Sequence, residues 1–217
     1  MTARRTIGAG LLTSRIVAVV RGGNGRHVQA ACETLIEAGI SCIEVTTNTP
    51  GGADALKRLR NTYGDEIELG LGTVRNTAHV AMASELGANF VVAPNTVVEV
   101  GQAAMNAGLA WYPGALTPTE ISLAWNRGAT AVKVFPAGPV GGPDYLNSIR
   151  APLDDIPLIP TGGVLIDSIC DYLQAGAVAV GLGGPLIGRT LHDGAVEDLA
   201  RRAKQAVDAV CRARAPV

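Results

Sequence analysis

The feature that most constrains this chain is a repeated unit: a short apolar run, a break rich in glycine or polar residues, then a stretch with helical spacing. Apolar, often β-branched runs fall at 16–20, 41–46, 67–71, 89–93, 109–112, 130–134, 156–160 and 177–181. Helical stretches follow at 27–38, 54–63, 77–86, 97–107, from Thr117 onward, at 166–175 and at about 196–212. Thr117-Pro118-Thr119-Glu120 reads as a helix start, with Thr117 as N-cap, proline at the first helical position and glutamate at the third. Strands without polar alternation are buried on both faces, and parallel strands need helical crossovers of this kind. Eight units of about 25 residues predict an α/β fold, a (β/α)₈ TIM barrel forming one domain over 1–217. An open doubly wound sheet is the alternative; it would leave two edges, and no strand carries the charge expected of one. The stretch 1–15, with three arginines and no acid, reads as a short N-terminal helix leading into the first strand.

Composition limits the partners. The chain is 47% hydrophobic with a mean hydropathy of +0.25, so most of it packs into a core. A net charge of −1 with interspersed signs offers no patch for nucleic acid and none for anionic lipid. No apolar run nears the roughly 20 residues that span a bilayer. Cys32, Cys42, Cys170 and Cys211 are far apart and lack metal-ligand spacing, which suggests neither a zinc site nor a disulfide framework, and reduced thiols fit the cytoplasm; no cofactor is expected. The expected partner is a small molecule.

One residue breaks the apolar pattern of the strands. Among 18 basic residues only Lys57, Lys133 and Lys204 are lysines, and Lys133 stands inside Thr130-Ala131-Val132-Lys133-Val134-Phe135-Pro136. Burial favours the neutral amine, which is the form that attacks a carbonyl to give a Schiff base. The alternative is a strand-end lysine that snorkels to solvent. In a barrel the functional groups gather at the C-terminal ends of the strands. The polar residues there are Arg21, Glu44, Thr46, Asn48, Thr73, Asn95, Lys133 and Thr161, together with the glycine pairs Gly162/Gly163 and Gly183/Gly184.

Glu44, inside Cys42-Ile43-Glu44-Val45, needs either a partner or a proton-transfer role; Arg21 and Lys133 are the candidate partners. The two glycine pairs follow the last two strands, where barrels often bind phosphate through backbone N–H groups. Tight turns also need glycine. His27, His79 and His192 lie at helix starts and are read as facing solvent.

Five ordered motifs carry a family resemblance: Ile43-Glu44-Val45-Thr46, Gly72-Thr73-Val74, Tyr112-Pro113-Gly114, Lys133-Val134-Phe135-Pro136-Ala137 and Pro160-Thr161-Gly162-Gly163-Val164. From about Ile16 to Gly188 the chain resembles the class I 2-keto-3-deoxy-6-phosphogluconate / 4-hydroxy-2-oxoglutarate aldolases, including the 6-phosphogalactonate type. The resemblance implies Lys133 as the Schiff-base lysine, Glu44 as acid/base, Thr73 at the keto-acid carboxylate and the glycine loops at a distal phosphate. It also implies that Thr46, Asn48, Asn95, Pro113, Phe135 and Thr161 line the pocket of a cytoplasmic, metal-free homotrimer acting on a 2-keto acid.

Two positions depart from the family pattern. Asn48 stands where many gluconate-type members have arginine, which shifts carboxylate binding toward Arg21, and Gly184 stands where members often have a phosphate-contacting serine. The rival readings are a phosphate-binding barrel isomerase that forms no imine and a non-enzymatic sugar-phosphate sensor. An amine beside a buried carboxylate argues against the sensor.

Overall fold

The structure is a computed structural model that describes residues 4–214, so Met1 to Ala3 of the expected N-terminal helix lie outside the described residues. The chain opens with α1 (Ala9–Ser14), β1 (Ile16–Val20), α2 (Val28–Glu37), β2 (Cys42–Thr46), α3 (Gly52–Tyr63) and β3 (Glu68–Gly72). Next come α4 (Thr77–Glu85), β4 (Phe90–Val92), α5 (Val98–Asn106), β5 (Ala110–Tyr112), β6 (Gly114–Ala115), α6 (Pro118–Asn126) and β7 (Val132–Val134). It ends with α7 (Gly142–Arg150), β8 (Leu158–Pro160), α8 (Ile169–Gln174), β9 (Val180–Leu182), α9 (Gly184–Ile187), α10 (Thr190–Asp193) and α11 (Val196–Arg214).

All strand pairings are parallel. A six-stranded sheet in the order β5-β4-β3-β2-β1-β9 curls into a half-barrel, and β6-β7-β8 form a second sheet. The strands expected to form a single ring of eight are thus paired in two sheets. The break falls at Pro113, between β5 and β6, because proline has no N–H to give to a ladder. Its carbonyl still accepts a hydrogen bond from the Lys133 N–H at 2.9 Å.

The strands are buried on both faces, and residues of opposite parity feed two separate clusters. Ile16, Ala18, Val20, Ile43, Val45, Leu69 and Leu71 pack outward among the helices. Val17, Val19, Cys42, Phe90, Val92, Ala110 and Tyr112 pack inward with Leu11. This two-sided burial is why the strands read as unbroken apolar runs.

Leu11, fully buried, comes from α1, which lies at the N-terminal ends of β2 and β3. There the Gly10 N–H donates to Glu68 Oε1 at 3.2 Å, and the Ser41 hydroxyl donates to the Gly10 carbonyl at 3.0 Å. Burial raises the Glu68 pKa, opposed by hydrogen bonds from the Gly10 and Leu11 amides. Helix α1 thus closes one end of the curled sheet.

The helix start at Thr117 is a complete capping box: its hydroxyl accepts from the Glu120 N–H at 3.3 Å while Glu120 Oε2 accepts from the Thr117 N–H at 2.9 Å. Helix α7 has no counterpart in the sequence reading; Gly142 and Pro143 open it. Among the described residues no helix is long and apolar enough to cross a membrane.

Candidate active site

Glu44 is 1% exposed and Lys133 5% exposed, so the lysine does not snorkel out. Both point inward from the middle of their strands and line one narrow cleft with Val17, Val92, Tyr112 and Ile159. Glycine makes room for the carboxylate: a Cβ at Gly72 would fall 2.0 Å from Glu44 Oε1. That oxygen is buried and has no hydrogen-bond partner. Among the described residues Glu44 is paired with neither Arg21 nor Lys133, which removes the structural ion pair as its explanation. An unsatisfied buried polar group costs about 1–3 kcal/mol, more for a charged one.

The other titratable groups of the interior stay protonated. Burial pushes the Cys42 thiol well above its ordinary range, with the Glu68 and Glu44 carboxylates adding to the effect. Burial likewise raises Tyr112, helped by Cys42 and Glu68. Neither supplies an anion near neutrality.

Toward the mouth, Lys133 also lines a cavity of about 150 Å³ with Arg21, Phe135, Thr161 and the two glycine pairs 162/163 and 183/184. The Phe135 ring centre lies 5.2 Å from Lys133 Nζ. Gly162 and Gly163 have φ of +83° and +79°, a left-handed pair that L side chains rarely adopt; a Cβ at Gly162 would also strike Phe135 at 2.9 Å. Nothing lies within 4 Å of a Cβ built at Gly184, so glycine there leaves open space.

Arg21 Nη2 donates to Thr73 Oγ1 at 3.0 Å. Thr73 itself has φ +60°, a strained value for a β-branched residue, held by the Thr47 hydroxyl on its carbonyl at 3.2 Å. The ends of β1 and β3 thereby present a guanidinium and a hydroxyl together.

The remaining residues singled out in the sequence lie elsewhere. Thr46 Oγ1 is bonded to Thr49 Oγ1 at 2.8 Å, tying β2 to the loop after it. Asn48 is exposed. Asn95 lies with Phe135 and Glu120 along a separate cavity of about 400 Å³, and Pro113 is buried at the sheet break. His27 and His79 are half-buried rather than solvent-facing, His27 packing against Gly194 and His79 Nδ1 accepting from the Arg75 N–H at 3.3 Å; His192 is exposed. No group of three or more His, Cys, Asp or Glu among the described residues is placed to hold a metal.

Tyr112 and its apolar neighbours in the cleft were missing from the sequence-based site. Parity along a strand could not have found them: Val17, Val92, Tyr112 and Ile159 lie on other strands than Glu44 and Lys133, and only the strand register brings them to the same face.

Comparison with known proteins gives a consistent answer. The model of the KDPG and KHG aldolase family matches residues 7–201. The 2-dehydro-3-deoxy-6-phosphogalactonate aldolase of Escherichia coli (strain K12) is 31% identical over 172 residues, covering 79% of this chain and 83% of that protein. A solved structure described as native KDPGal superposes with a TM-score of 0.85 at 31% identity, covering 91% of this chain and 95% of its own. The KDPG aldolase of Legionella pneumophila, with pyruvate captured at low pH as a covalent carbinolamine intermediate, has the same fold, with a TM-score of 0.83 at 24% identity, covering 91% and 96%.

Proposed function

This chain belongs to the KDPG and KHG aldolase family, and from that premise we propose that Lys133 forms the Schiff base and Glu44 moves the protons in the cleavage of a 2-keto-3-deoxy sugar acid. Its relatives are named aldolases, which are carbon–carbon lyases, and we place this chain in the Schiff-base class. The proposed products are pyruvate and an aldehyde such as glyceraldehyde 3-phosphate. The observation that carries the assignment of residues is one buried amine and one unpartnered buried carboxylate lining the same cleft.

In the proposed cycle the neutral Lys133 amine attacks the C2 ketone, and the carbinolamine loses water to give an iminium, with Glu44 moving the protons. Glu44 then takes the C4 hydroxyl proton. The C3–C4 electrons flow to the iminium, releasing the aldehyde and leaving an enamine. Protonation at C3 and hydrolysis return pyruvate and the free amine. Arg21 and Thr73 hold the C1 carboxylate so that C2 faces the amine, which is a positioning role. Gly162, Gly163, Gly183 and Gly184 offer backbone N–H groups to a distal phosphate, and Phe135 and Thr161 wall the passage between the two ends.

The test is reduction with borohydride in the presence of pyruvate. A stable adduct is expected on Lys133, and a peptide map without one, or with one on Lys57 or Lys204, would sink the assignment. Arg21→Ala is expected to raise KM for the keto acid about 10- to 100-fold, as for loss of a charge-assisted bond of about 1.5–3 kcal/mol. Unchanged pyruvate affinity would move carboxylate recognition to Thr73 and nearby amides.

The same proposal includes closure of the two sheets into one (β/α)₈ barrel within a single domain, β5 and β6 counting as one strand. A bridge between Thr161 and Gly181 and the Val178 N–H bond to the Leu158 carbonyl at 3.0 Å support it. Homotrimeric assembly and a cytoplasmic setting rest on the family resemblance.

A further inference from the structure

A second cavity, of about 450 Å³ against about 150 Å³ for the one at the mouth of the Lys133 cleft, lies between the loop after β1 and the segment from α9 to α10. Its walls bring together Arg21, Asn24, Arg189 and His192 over a floor that includes Leu191. The loop lies close on that floor: a Cβ at Gly22 would fall 2.7 Å from Leu191 Cδ1. None of the chemistry above uses this space.

Its polar groups are almost all donors. Asn24 Oδ1 already accepts from the Arg26 N–H at 3.0 Å, which leaves its amide N–H₂ to donate. Among the described residues the one ion pair at this wall is Arg189 Nε to Asp193 Oδ2 at 3.9 Å, with side chains 80% and 42% exposed, a contact too long and too solvated to occupy the guanidinium. Arg21 and Arg189 both line this one cavity, and a guanidinium is the side chain suited to bidentate bonds with a tetrahedral oxyanion.

We propose that this cavity binds a phosphate dianion, free or as a monoester, and that its occupant competes with substrate for Arg21. Arg21 is common to both cavities, and its guanidinium donates to Thr73 on the substrate side. An anion beside Arg189 draws Arg21 away from Thr73 and weakens its hold on the keto-acid carboxylate. Because linkage is reciprocal, the keto acid weakens the anion by the same factor. The kinetic half of this proposal rests on the aldolase reading; the binding half does not.

The test titrates inorganic phosphate, and separately glycerol phosphate, into wild-type protein and Arg189→Ala by calorimetry. Arg189 lines neither the Lys133 cleft nor the cavity at its mouth, and its side chain is 80% exposed, so this variant is expected to fold and to keep its phosphate-free turnover. Saturable binding to the wild type, weakened at least about tenfold in Arg189→Ala, is the expected result. Phosphate should raise KM for the keto acid at constant kcat in the wild type, and the rise should shrink in the variant. Equal affinity for the two probes identifies the free ion as a sufficient ligand, and preference for the ester identifies a phosphorylated metabolite; either supports the site. Absence of binding, or equal binding to both proteins, overturns it, the second result placing phosphate on the Gly162–Gly163 loop. Failed borohydride trapping alongside normal phosphate binding would sink the aldolase chemistry and leave this site standing.

Discussion

Lys133→Met is expected to lower turnover by on the order of 10⁴–10⁶ and to abolish the borohydride adduct with pyruvate, while the protein folds at least as well as wild type. The size of the kinetic effect follows from the chemistry: with no amine there is no imine, and the C3–C4 electrons have no sink. The stability follows from burial. Lys133 is 5% exposed, makes no ion pair among the described residues, and lies among Val17, Val92, Tyr112 and Ile159. Methionine keeps its length and flexibility and removes a polar head that this environment solvates poorly. Steady-state assays and thermal melts on the same preparation check both halves. Turnover within tenfold of wild type would end the Schiff-base role of this residue, and a lowered melting temperature would mean that the amine has a structural partner.

Glu44→Gln should lower kcat by roughly 10²–10⁴, the usual worth of a general acid/base, while the Lys133 adduct still forms slowly. The amide keeps the shape of the carboxylate and loses its ability to carry a proton between C4, C3 and the carbinolamine. Stability should move the other way. Glu44 Oε1 is buried without a partner, and replacing the charge-bearing group with a neutral isostere is expected to gain about 1 kcal/mol, or about 2–4 °C for a chain of this size. A variant both slower and more stable is the signature of a residue kept for function against the interest of the fold. Wild-type turnover would remove Glu44 from the mechanism.

The parallel α/β class and the positions of most strands were legible because burial on both faces writes itself as unbroken apolar runs. Lys133 and Glu44 were legible as violations of those runs. What the sequence concealed depends on geometry that adjoining residues do not encode. Pro113 reads as the end of a strand, yet its carbonyl still serves Lys133 across the break between β5 and β6. Helix α7, opened by Gly142 and Pro143, has no counterpart in the sequence reading. Thr46 and Asn48 sit in the same motif as Glu44 but face other tasks, because the chain leaves β2 at Thr46 and the hydroxyl there turns to Thr49. The strain at Thr73 has no sequence signal at all, since it is imposed by Arg21, Thr47 and the strands on either side.

The plug made by α1 has a kinetic consequence. Leu11 and the Gly10–Glu68 contact pack the far end of the curled sheet, while Lys133 lines both the cleft and the cavity bounded by the glycine loops. Exchange of pyruvate and the aldehyde by way of that cavity is expected to be ordered. In the synthetic direction pyruvate has to load before the aldehyde, which would otherwise block its route to the amine. In cleavage the aldehyde leaves first, and water reaches the enamine-derived iminium only through the space it vacates. Product-inhibition patterns should therefore show pyruvate competing directly with the keto acid for free enzyme, and the aldehyde acting on the pyruvate-loaded form.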